Sequence, residues 1–459
     1  MVRKISGSIS ILVLVFGLVF AAAIGGLVLV TATQYTASTR TEVFEKTLTL
    51  AQAGAEYYRW HLAHDPQDFK DGTGHPGPYV HAISDPYGQT EGVFSLTITP
   101  PASGSTIVTI ESQGYLTSHP EIKRTVKARY GIPSLAQFSF LNNANVWFGS
   151  GITVHGKVMS NGGIRMDGVN DSTVQSAKQT YTCGSETGCS PSQTKNGVWG
   201  AGGPQNLWQF PVPQVDFNAL VIDFSNMKTA AQNSGTYVGP SGGSYGYHLL
   251  FTVDGNYTIK KINSATNLRG WSVENGCENL YQQITSETTL GTYSVATKPI
   301  IFLEDHIFVE GVVNGQVTVV AARFPIDLNN MNIWIPNNLT YIAKDGHSTL
   351  GLFAQNNIYY GLNVPTNFEI NGALLAQKGR IIRHNYRFTG CSNYANAVRN
   401  KLTIYGDVIS NQKSYWNFGT GPTSGFITRD VTYDPNSYFQ PPPYFPAQGA
   451  YEFISWEEK

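Results

Sequence analysis

The chain has 459 residues, more than one ordinary domain core of about 100–200 residues holds, so several units or a repeat array are expected. Charged residues make up only 13% and the net charge is -1, which disfavours nucleic acid as the main partner. The 47 glycines and the 12% of aromatic residues exclude disorder and favour strands joined by frequent turns over long surface helices. We therefore expect a mainly β protein.

The N-terminal segment predicts a membrane anchor. Arg3 and Lys4 precede an uncharged stretch that reaches Thr39, and residues 9–32 at its centre are almost wholly apolar. About 24 residues make a helix of roughly 36 Å, which exceeds the hydrocarbon core of about 30 Å. The alternative is a cleaved secretory signal, whose apolar region has about 7–15 residues. Because the positive charges precede the span, we expect a single-pass protein with its bulk outside the cytoplasm.

Beyond the span, the helix is expected to continue and to pack on a small sheet. The pattern predicts a helix over residues 8–64, which ends before Asp65-Pro66 because Pro66 disfavours helix at the preceding residue. Its second half carries one apolar stripe, formed by Phe44, Leu48, Ala51, Ala55, Tyr58 and Leu62. Alternating segments at 93–99, 106–112 and 122–130 predict a three-stranded antiparallel meander within residues 65–132. We expect the helix to cover its apolar face.

The basic tip KISG (4–7), the apolar helix, the segment AQAGAEY (51–57) and the meander together resemble the N-terminal part of type IV pilin-like proteins, specifically PilX-type minor pilins. The resemblance implies that residues 1–7 are a leader, cut after Gly7 by a prepilin peptidase to leave Ser8 as the mature N-terminus. It also implies that the helix contacts the membrane and other pilin-like subunits. Major pilins usually begin with Phe and carry Glu at the fifth mature position, where this chain has Ser8 and Leu12, so a minor or filament-associated role is expected.

From about residue 138 to 435, related phrases recur and predict a parallel β-solenoid. The segments VHGKVMSN (154–161), INGALLAQ (370–377) and IYGDVISN (404–411) share an apolar residue, a Gly, two apolar residues, a small residue and an amide. We expect Gly156, Gly372 and Gly406 at sharp corners and amides bonded from rung to rung. We also expect Val158, Leu374 and Val408 to stack as one interior row. In this register Lys157 and Asp407 point outward. A β-sandwich is the competing architecture.

The solenoid is expected to carry an insertion at about residues 170–297 and a Pro- and aromatic-rich tail at 436–459. Tails of this composition are extended, and this one either covers the solenoid flank or binds a groove of another protein. Four cysteines in an exported chain predict two disulfides. We expect Cys183 to pair with Cys189 in a small loop and Cys277 to pair with Cys391; a zinc site is the alternative.

Searches for catalytic and metal-binding patterns return weak candidates. His61, His64 and Asp65 are the candidate ligands of a metal site, and a polar helix end is the alternative interpretation. The carboxylates at 65–71 are candidate Ca²⁺ ligands, and a solvated turn is the alternative. Carboxylate groups near Asp167 and Asp171 and at Glu304–His306 are the candidates for acid–base chemistry. None has the spacing of a known catalytic motif, so we expect no enzyme activity, no metal and no cofactor.

Many aromatic residues are expected in the core, Trp147 among them. Aromatic residues in polar loops are the remaining signal, and Trp199, Trp208, Trp271 and Trp416 are the candidate surface contacts. Two function classes follow. The first is a membrane-anchored, pilin-like extracellular structural protein that presents a β-solenoid for adhesion or assembly, with a glycan or a cell-surface ligand as a further partner. The alternative is an envelope-anchored β-helix enzyme that binds or cleaves polysaccharides.

Overall fold

The computed structural model describes residues 8–102, 106–131, 134–217, 220–243, 245–419, 422–439, 441–445 and 451–459. The chain divides into two units. The first contains helix α1 (Ser8–His64) and five strands, which are β1 (Tyr79–Ser84), β2 (Thr90–Thr99), β3 (Val108–Leu116), β4 (His119–Gly131) and β34 (Glu452–Glu458). The predicted leader and its cleavage position after Gly7 lie outside the described residues.

The second unit begins with short strands that occupy one end of a stack. They are β5 (Phe140–Asn142), β6 (Val146–Phe148), β7 (Ile152–His155), β8 (Val158–Ser160), β9 (Ile164–Met166), β10 (Val169–Asn170), β11 (Val174–Ser176), β12 (Thr180–Cys183), β13 (Gln193–Asn196), β14 (Val198–Trp199) and β15 (Trp208–Gln209). Helix α2 (Leu220–Ser234) follows.

The remaining strands of this unit are longer on average. They are β16 (Thr236–Val238), β17 (Tyr247–Phe251), β18 (Asn256–Ser272), β19 (Gly276–Ser294), β20 (Ile300–Leu303), β21 (Ile307–Val313), β22 (Gln316–Ala321), β23 (Ile333–Ile335), β24 (Leu339–Tyr341), β25 (Thr349–Ala354), β26 (Ile358–Tyr360), β27 (Asn367–Ala376), β28 (Ile381–Arg383), β29 (Arg387–Phe388), β30 (Ser392–Asn393), β31 (Val398–Ser410), β32 (Asn417–Phe418) and β33 (Ser424–Thr432). The chain ends with the short helix α3 (Asn436–Phe439) and strand β34 (Glu452–Glu458).

The second half of α1 packs on an antiparallel sheet with strand order β1-β2-β3-β4-β34. The predicted meander is confirmed and extended by two strands. Strand β1 was missed because four of its six side chains are exposed, so its residues show no apolar alternation. Strand β34 pairs with β4 across more than 300 residues of chain, and no local pattern predicts such a partner.

The apolar stripe of α1 is confirmed at Ala51, Ala55, Tyr58 and Leu62, which lie in the core of this unit. Its predicted first member was wrong, because Phe44 is 43% exposed while Val43 is buried. Helix and sheet approach closely at Gly114, where an added Cβ would lie 2.3 Å from the Thr47 carbonyl oxygen and 2.5 Å from the Ala51 nitrogen. The close approach therefore depends on the missing side chain.

Replacing Gly114 with alanine should destabilise this unit by about 1–3 kcal/mol, because the methyl group would collide with the helix backbone, which cannot move aside as a side chain can. The matched control is Gln113→Ala, because Gln113 is the adjacent residue of β3 and only part-buried. Hydrogen exchange of the α1 amides in detergent micelles measures the effect. Equal protection in the two variants would contradict the packing described above.

The predicted parallel β-solenoid is confirmed. Its first face is a row of parallel strands, in the spatial order β16, β20, β22, β25, β27, β31, β5, β8, β11 and β15. The interior side chains stack along this face, in the row Ile301, Val319, Leu352, Leu374, Val408, Phe140, Val158 and Val174. The first rung in sequence therefore stacks against β31, the last rung of this face in chain order.

Two further faces close the coil. The second contains β21, β24, β27, β31, β33, β7 and β10. The third contains β17, β21, β23, β26 and β28, with β6, β9 and β14 as a separate parallel group. Strands β27 and β31 turn from the second face into the first at Gly372 and Gly406, which are in register and have φ of 148° and 138°. The predicted corners are confirmed.

The amides also bond from rung to rung as expected. The Asn161 side chain donates to Asn143 Oδ1, and Asn143 donates to Asn411 Oδ1, both at 2.7 Å. The predicted insertion at 170–297 needs correction, because β11, β15, β16 and β17 within it pair with the parallel faces. These strands have five residues or fewer and lack the recurring phrase, so the sequence did not show them as rungs.

The strands β18 and β19 form a long antiparallel hairpin, here called the arm. Its residues Ile262 and Leu280 pack with Phe308, Trp334 and Tyr359 on the outer side of the third face. The C-terminal region predicted as an extended tail is divided, because Phe445 packs against Phe353 on the first face while β34 belongs to the sheet of the first unit.

Candidate functional site

The first half of α1 is the candidate membrane anchor. An 18-residue window within it has a mean hydropathy of 2.8, and none of that window is buried. Leu14, Leu18 and Leu27 are 64–66% exposed, so no described residue of this unit removes these side chains from water. By length and composition the helix can cross a membrane. Ser8, the predicted mature N-terminus, is the first described residue of α1.

Both predicted disulfides are present. Cys183 is bonded to Cys189 across six positions, and Cys277 is bonded to Cys391 across 114 positions. The second bond ties β19 of the arm to the turn between β29 and β30. It therefore fixes the arm to the solenoid at the arm's closed end.

Replacing Cys277 and Cys391 with serine should destabilise the solenoid unit by about 3 kcal/mol, because the bond closes a long loop in the unfolded chain. Serine at Cys183 and Cys189 is the matched control, and the shorter loop predicts a smaller loss. Thermal unfolding and limited proteolysis of the arm measure the difference. Equal losses, or an arm as protease-resistant as in the wild type, would contradict this prediction.

The four tryptophans predicted as surface contacts occupy different environments. Trp271 on the arm stacks on Phe388 with the ring centroids 4.2 Å apart. Trp208 is part-buried and packs against the solenoid core at the terminal strand β15. The prediction for Trp416 was wrong, because it is 6% exposed and its Nε1 donates to the Ile381 carbonyl at 3.0 Å. Its flanking polar residues concealed a side chain that fills the core beside Phe140.

Trp199 belongs to an aromatic and cationic row on the third face. Trp147, Arg165 and Trp199 are in register on β6, β9 and β14, and the Arg165 guanidinium lies 4.3 Å from the Trp147 ring and 4.9 Å from the Trp199 ring. Asp167 accepts from Trp147 Nε1 at 2.8 Å and from Arg165 Nε at 2.7 Å. Trp147, expected in the core, is 39% exposed, because it faces outward while Val146 and Phe148 face inward.

A cleft of about 490 Å³ follows one edge of the arm. One wall consists of residues 282–287 of β19, and the other contains Glu310, Pro336, Gly361 and Asn363. His248 bridges the two walls, since its Nδ1 lies 2.8 Å from Glu287 Oε2 and its Nε2 lies 3.1 Å from Glu310 Oε1. No sequence motif marked this cleft, because its two walls come from segments that are distant in sequence.

The charges of the cleft depend on one another. Burial opposes ionisation of Glu287, but hydrogen bonds from Lys260 and His248 outweigh it and lower the pKa of this carboxyl. The hydrogen bond from His248 likewise lowers the pKa of Glu310. Burial opposes the charged form of His248, and its bonds to both carboxylates outweigh that and raise its pKa. The cleft therefore presents two ionised carboxylates at neutral pH.

A second, more polar cavity of about 240 Å³ lies at the closed end of the arm. Its lining includes Glu278, which accepts from Ser272 Oγ at 2.5 Å and lies 3.1 Å from Nε2 of the fully buried His384. Burial works against ionisation of Glu278, yet these hydrogen bonds hold its pKa at about 2. The Glu278–His384 contact ties the arm to the segment that follows β28.

The residues predicted as weak metal and acid–base candidates make contacts within the fold. His61 Nε2 lies 2.9 Å from Asp68 and His81 Nε2 lies 2.7 Å from Asp71, so two carboxylates of the proposed Ca²⁺ loop are engaged by imidazoles. His64 is bonded to the Trp60 carbonyl at 2.8 Å. Over the described residues, no group of three or more His, Cys, Asp or Glu is arranged to hold a metal ion.

The proposed catalytic carboxylates are likewise bonded within the fold. Asp171 lies 2.6 Å from His155 Nδ1, whereas Asp167 belongs to the row of Trp147 and Arg165. Glu304 pairs with Lys228 at 2.5 Å, and Asp305 accepts from Ser241 Oγ at 2.7 Å. These contacts link each carboxylate to a neighbouring chain segment, and none of them joins Asp167 or Asp171 to Glu304 or Asp305.

The prediction that Asp407 points outward into solvent was wrong. Asp407 has no exposed surface, and neither of its carboxylate oxygens has a hydrogen-bond partner among the described residues. Burial, with the nearby Asp434 carboxylate, raises its pKa well above the usual range. Lys157, expected to point outward, is exposed. The difference arises because the C-terminal segment near Tyr433 and Asp434 reaches Asp407, which no local pattern indicates.

The helix, sheets and clefts define a class of protein: a mainly β protein with an N-terminal helix of membrane-spanning length and a parallel β-solenoid. No family model matches the chain, and no curated protein matches its sequence. Among solved structures it is similar to the competence-associated pilin ComZ from Thermus thermophilus, at 14% identity, covering 91% of this chain and 97% of that chain, with a TM-score of 0.29. A TM-score of this size supports no conclusion about this chain.

Proposed function

We propose that the protein is a membrane-anchored, pilin-like structural protein of the cell surface, of the PilX-type minor pilin or filament-associated kind, and not an enzyme. Its solenoid would serve adhesion or assembly outside the cytoplasm. The observation that carries the proposal is the division of α1, whose first half is apolar and exposed and whose second half packs on an antiparallel sheet. A helix built this way joins a folded unit to a membrane or to the apolar helices of other subunits.

Two measurements test the proposal. Mass spectrometry of the native protein should find the N-terminus at Ser8 or at Met1, and immunogold labelling with an antibody against the solenoid should mark surface filaments. A mature N-terminus beyond Ala32 would overturn the anchor. Labelling of the membrane without filaments would leave an anchored surface protein and remove the pilin-like role.

A pair of variants separates the anchor from the rest of the helix. Aspartates at Leu14 and Leu18 should release the protein from membranes during alkaline extraction, because each charge near the middle of the span costs about 3 kcal/mol. The control carries aspartates at Thr36 and Thr41, which are exposed and lie outside residues 9–32, and it should stay membrane-bound. Release of both variants, or of neither, would count against a span at residues 9–32.

A further inference from the structure

Two buried carboxylates lie close together where the segment after β33 covers β31. Asp407 belongs to β31 and Asp434 follows β33, and their exposed fractions are 0% and 1%. Burial, together with the charge of Asp434, raises the pKa of Asp407. Neither carboxylate forms an ion pair with a described residue. Because a buried charge without a partner is costly, this pair requires a group that neutralises it.

The described contacts of the pair supply no positive charge. Oδ1 of Asp434 accepts from the Tyr405 hydroxyl at 2.9 Å, and from the Asn436 main-chain nitrogen at 2.9 Å and its Nδ2 at 3.0 Å. These donors orient the carboxylate of Asp434, but all three are neutral. Both oxygens of Asp407 lack a hydrogen-bond partner in the part of the chain that the structure describes. Asp407 is therefore a buried acceptor group that still needs a partner.

A proton or a water molecule meets only part of this need. A protonated carboxyl has an O–H donor that requires an acceptor, and no described atom accepts from Asp407. A water molecule would supply hydrogen bonds but would leave the negative charges of both carboxylates in a site with almost no exposed surface. A divalent cation balances two carboxylates and also occupies the oxygens of Asp407.

The donor atoms around the pair indicate which cation it would hold. The Tyr433 hydroxyl is also buried and unpartnered among the described residues, and burial with the charges of Asp407 and Asp434 raises the pKa of Tyr433. These three groups offer only oxygen, which hard cations prefer. Ca²⁺ accepts about six to eight oxygens in a flexible geometry, whereas Mg²⁺ requires a near-ideal octahedron and usually keeps several waters. A site with so little exposed surface favours Ca²⁺.

A cavity of about 280 Å³ adjoins this group of oxygens at Tyr433. Its lining also includes Gly156, Lys157 and Tyr438. Lys157 is exposed, so its ammonium group can remain in solvent at the end of a long apolar stem. The cavity therefore provides a path by which an ion reaches Tyr433.

We propose that Asp407 and Asp434 hold a calcium ion, which fastens the segment 433–439 to β31. The ion compensates both carboxylates, and the Tyr433 hydroxyl supplies a further oxygen. With only two carboxylates in the site, hydroxyl and main-chain oxygens complete the ligand set. In the calcium-free protein, a proton neutralises Asp407 instead. The site lies within the solenoid unit and does not require the membrane anchor, so its failure would leave the anchoring proposal unaffected.

The test uses the full chain in detergent micelles, freed of divalent cations with EGTA and then dialysed at neutral pH. Isothermal titration calorimetry with CaCl₂ should show saturable binding with a Kd below about 1 mM, and MgCl₂ should bind at least 10-fold more weakly. CaCl₂ at about 100 times the Kd should raise the midpoint of thermal unfolding by about 5 °C or more, because only the folded chain assembles the site.

Three variants locate the ion. Asp407→Asn should abolish this binding and the thermal shift, because asparagine keeps the shape of the side chain and removes its charge. Tyr433→Phe should weaken binding at least 10-fold, because it removes one oxygen and keeps the ring. The matched control is Asp327→Asn at an exposed position, which should bind as the wild type does. Near-ultraviolet circular dichroism checks that all three keep the fold.

Hydrogen exchange distinguishes a fastened segment from an ion bound elsewhere. CaCl₂ should slow exchange of the amides in residues 433–439 at least 10-fold in the wild type and leave Asp407→Asn unchanged. Several results would overturn the proposal: no saturable binding of Ca²⁺ up to about 10 mM, unchanged affinity in Asp407→Asn or Tyr433→Phe, tighter binding of Mg²⁺, or exchange in this segment that does not respond to CaCl₂. Stabilisation of the wild type by acid and not by CaCl₂ would assign the neutralisation of Asp407 to a proton alone.

Discussion

Replacing Leu374 with aspartate should unfold the solenoid unit. Leu374 has no exposed surface and stacks between Leu352 and Val408 in the interior row of the first face. An unpaired carboxylate there would lose its hydration without gaining a partner, at a cost of about 5 kcal/mol or more. Since domains are stable by about 5–15 kcal/mol, this single change should remove most or all of the stability.

The control is Lys157→Asp, which carries the same new side chain at an exposed position next to Val158 of the same row. We expect it to change stability by no more than about 0.5 kcal/mol. Near-ultraviolet circular dichroism during thermal unfolding of the full chain compares the two variants. If Leu374→Asp melted with the wild type, or if Lys157→Asp lost its fold, the register of the first face would be wrong.

Replacing Asp407 with asparagine should stabilise the protein, and the gain should grow with pH. An aspartate in an unfolded chain has a pKa of about 3.9, whereas burial near Asp434 raises the pKa of Asp407 well above that value. Between these two pKa values the folded chain binds a proton that the unfolded chain has lost. Wild-type stability therefore falls by about 1.4 kcal/mol for each pH unit in this range.

Asparagine has nearly the same shape and cannot ionise, so Asp407→Asn should lack this pH dependence. Urea unfolding at intervals from pH 4 to pH 8 should show similar stabilities at pH 4 and a growing advantage of the variant above it. The control is Asp327→Asn at an exposed position, which should follow the wild type throughout. A constant difference between Asp407→Asn and the wild type would mean that Asp407 is ionised in the folded protein.

The recurring phrase shows how much local sequence can predict. Gly372 and Gly406 lie at equivalent corners, and Leu374 and Val408 stack as expected, because each phrase combines a residue that permits positive φ with apolar residues of period two. The same phrase beginning at Val154 predicted Val158 in this row. It did not predict that Phe140 lies between Val408 and Val158, because rung order is a property of stacking and not of chain order.

The sites were less predictable than the fold. Trp416 was expected at the surface and is buried, whereas Trp147 was expected in the core and is exposed. The polarity of the neighbouring residues does not show which side of a rung a side chain faces. The cleft at His248 unites Glu287 and Glu310, which come from the arm and from the third face. Their proximity depends on the path of the arm, for which the sequence has no local signal.

The sequence by itself determined the apolar anchor segment, the mainly β composition and the solenoid corners, since each depends on residue type and short spacing. It also determined the two disulfide pairs, because the short spacing of Cys183 and Cys189 leaves Cys277 to pair with Cys391. Tertiary structure decided the pairing of β34 with β4, the burial of Asp407 and the walls of the arm cleft. The physical reason is that these features arise where distant segments exclude water from one another. The burial and the electrostatic environment of a side chain depend on that exclusion of water, which no single segment can produce by itself.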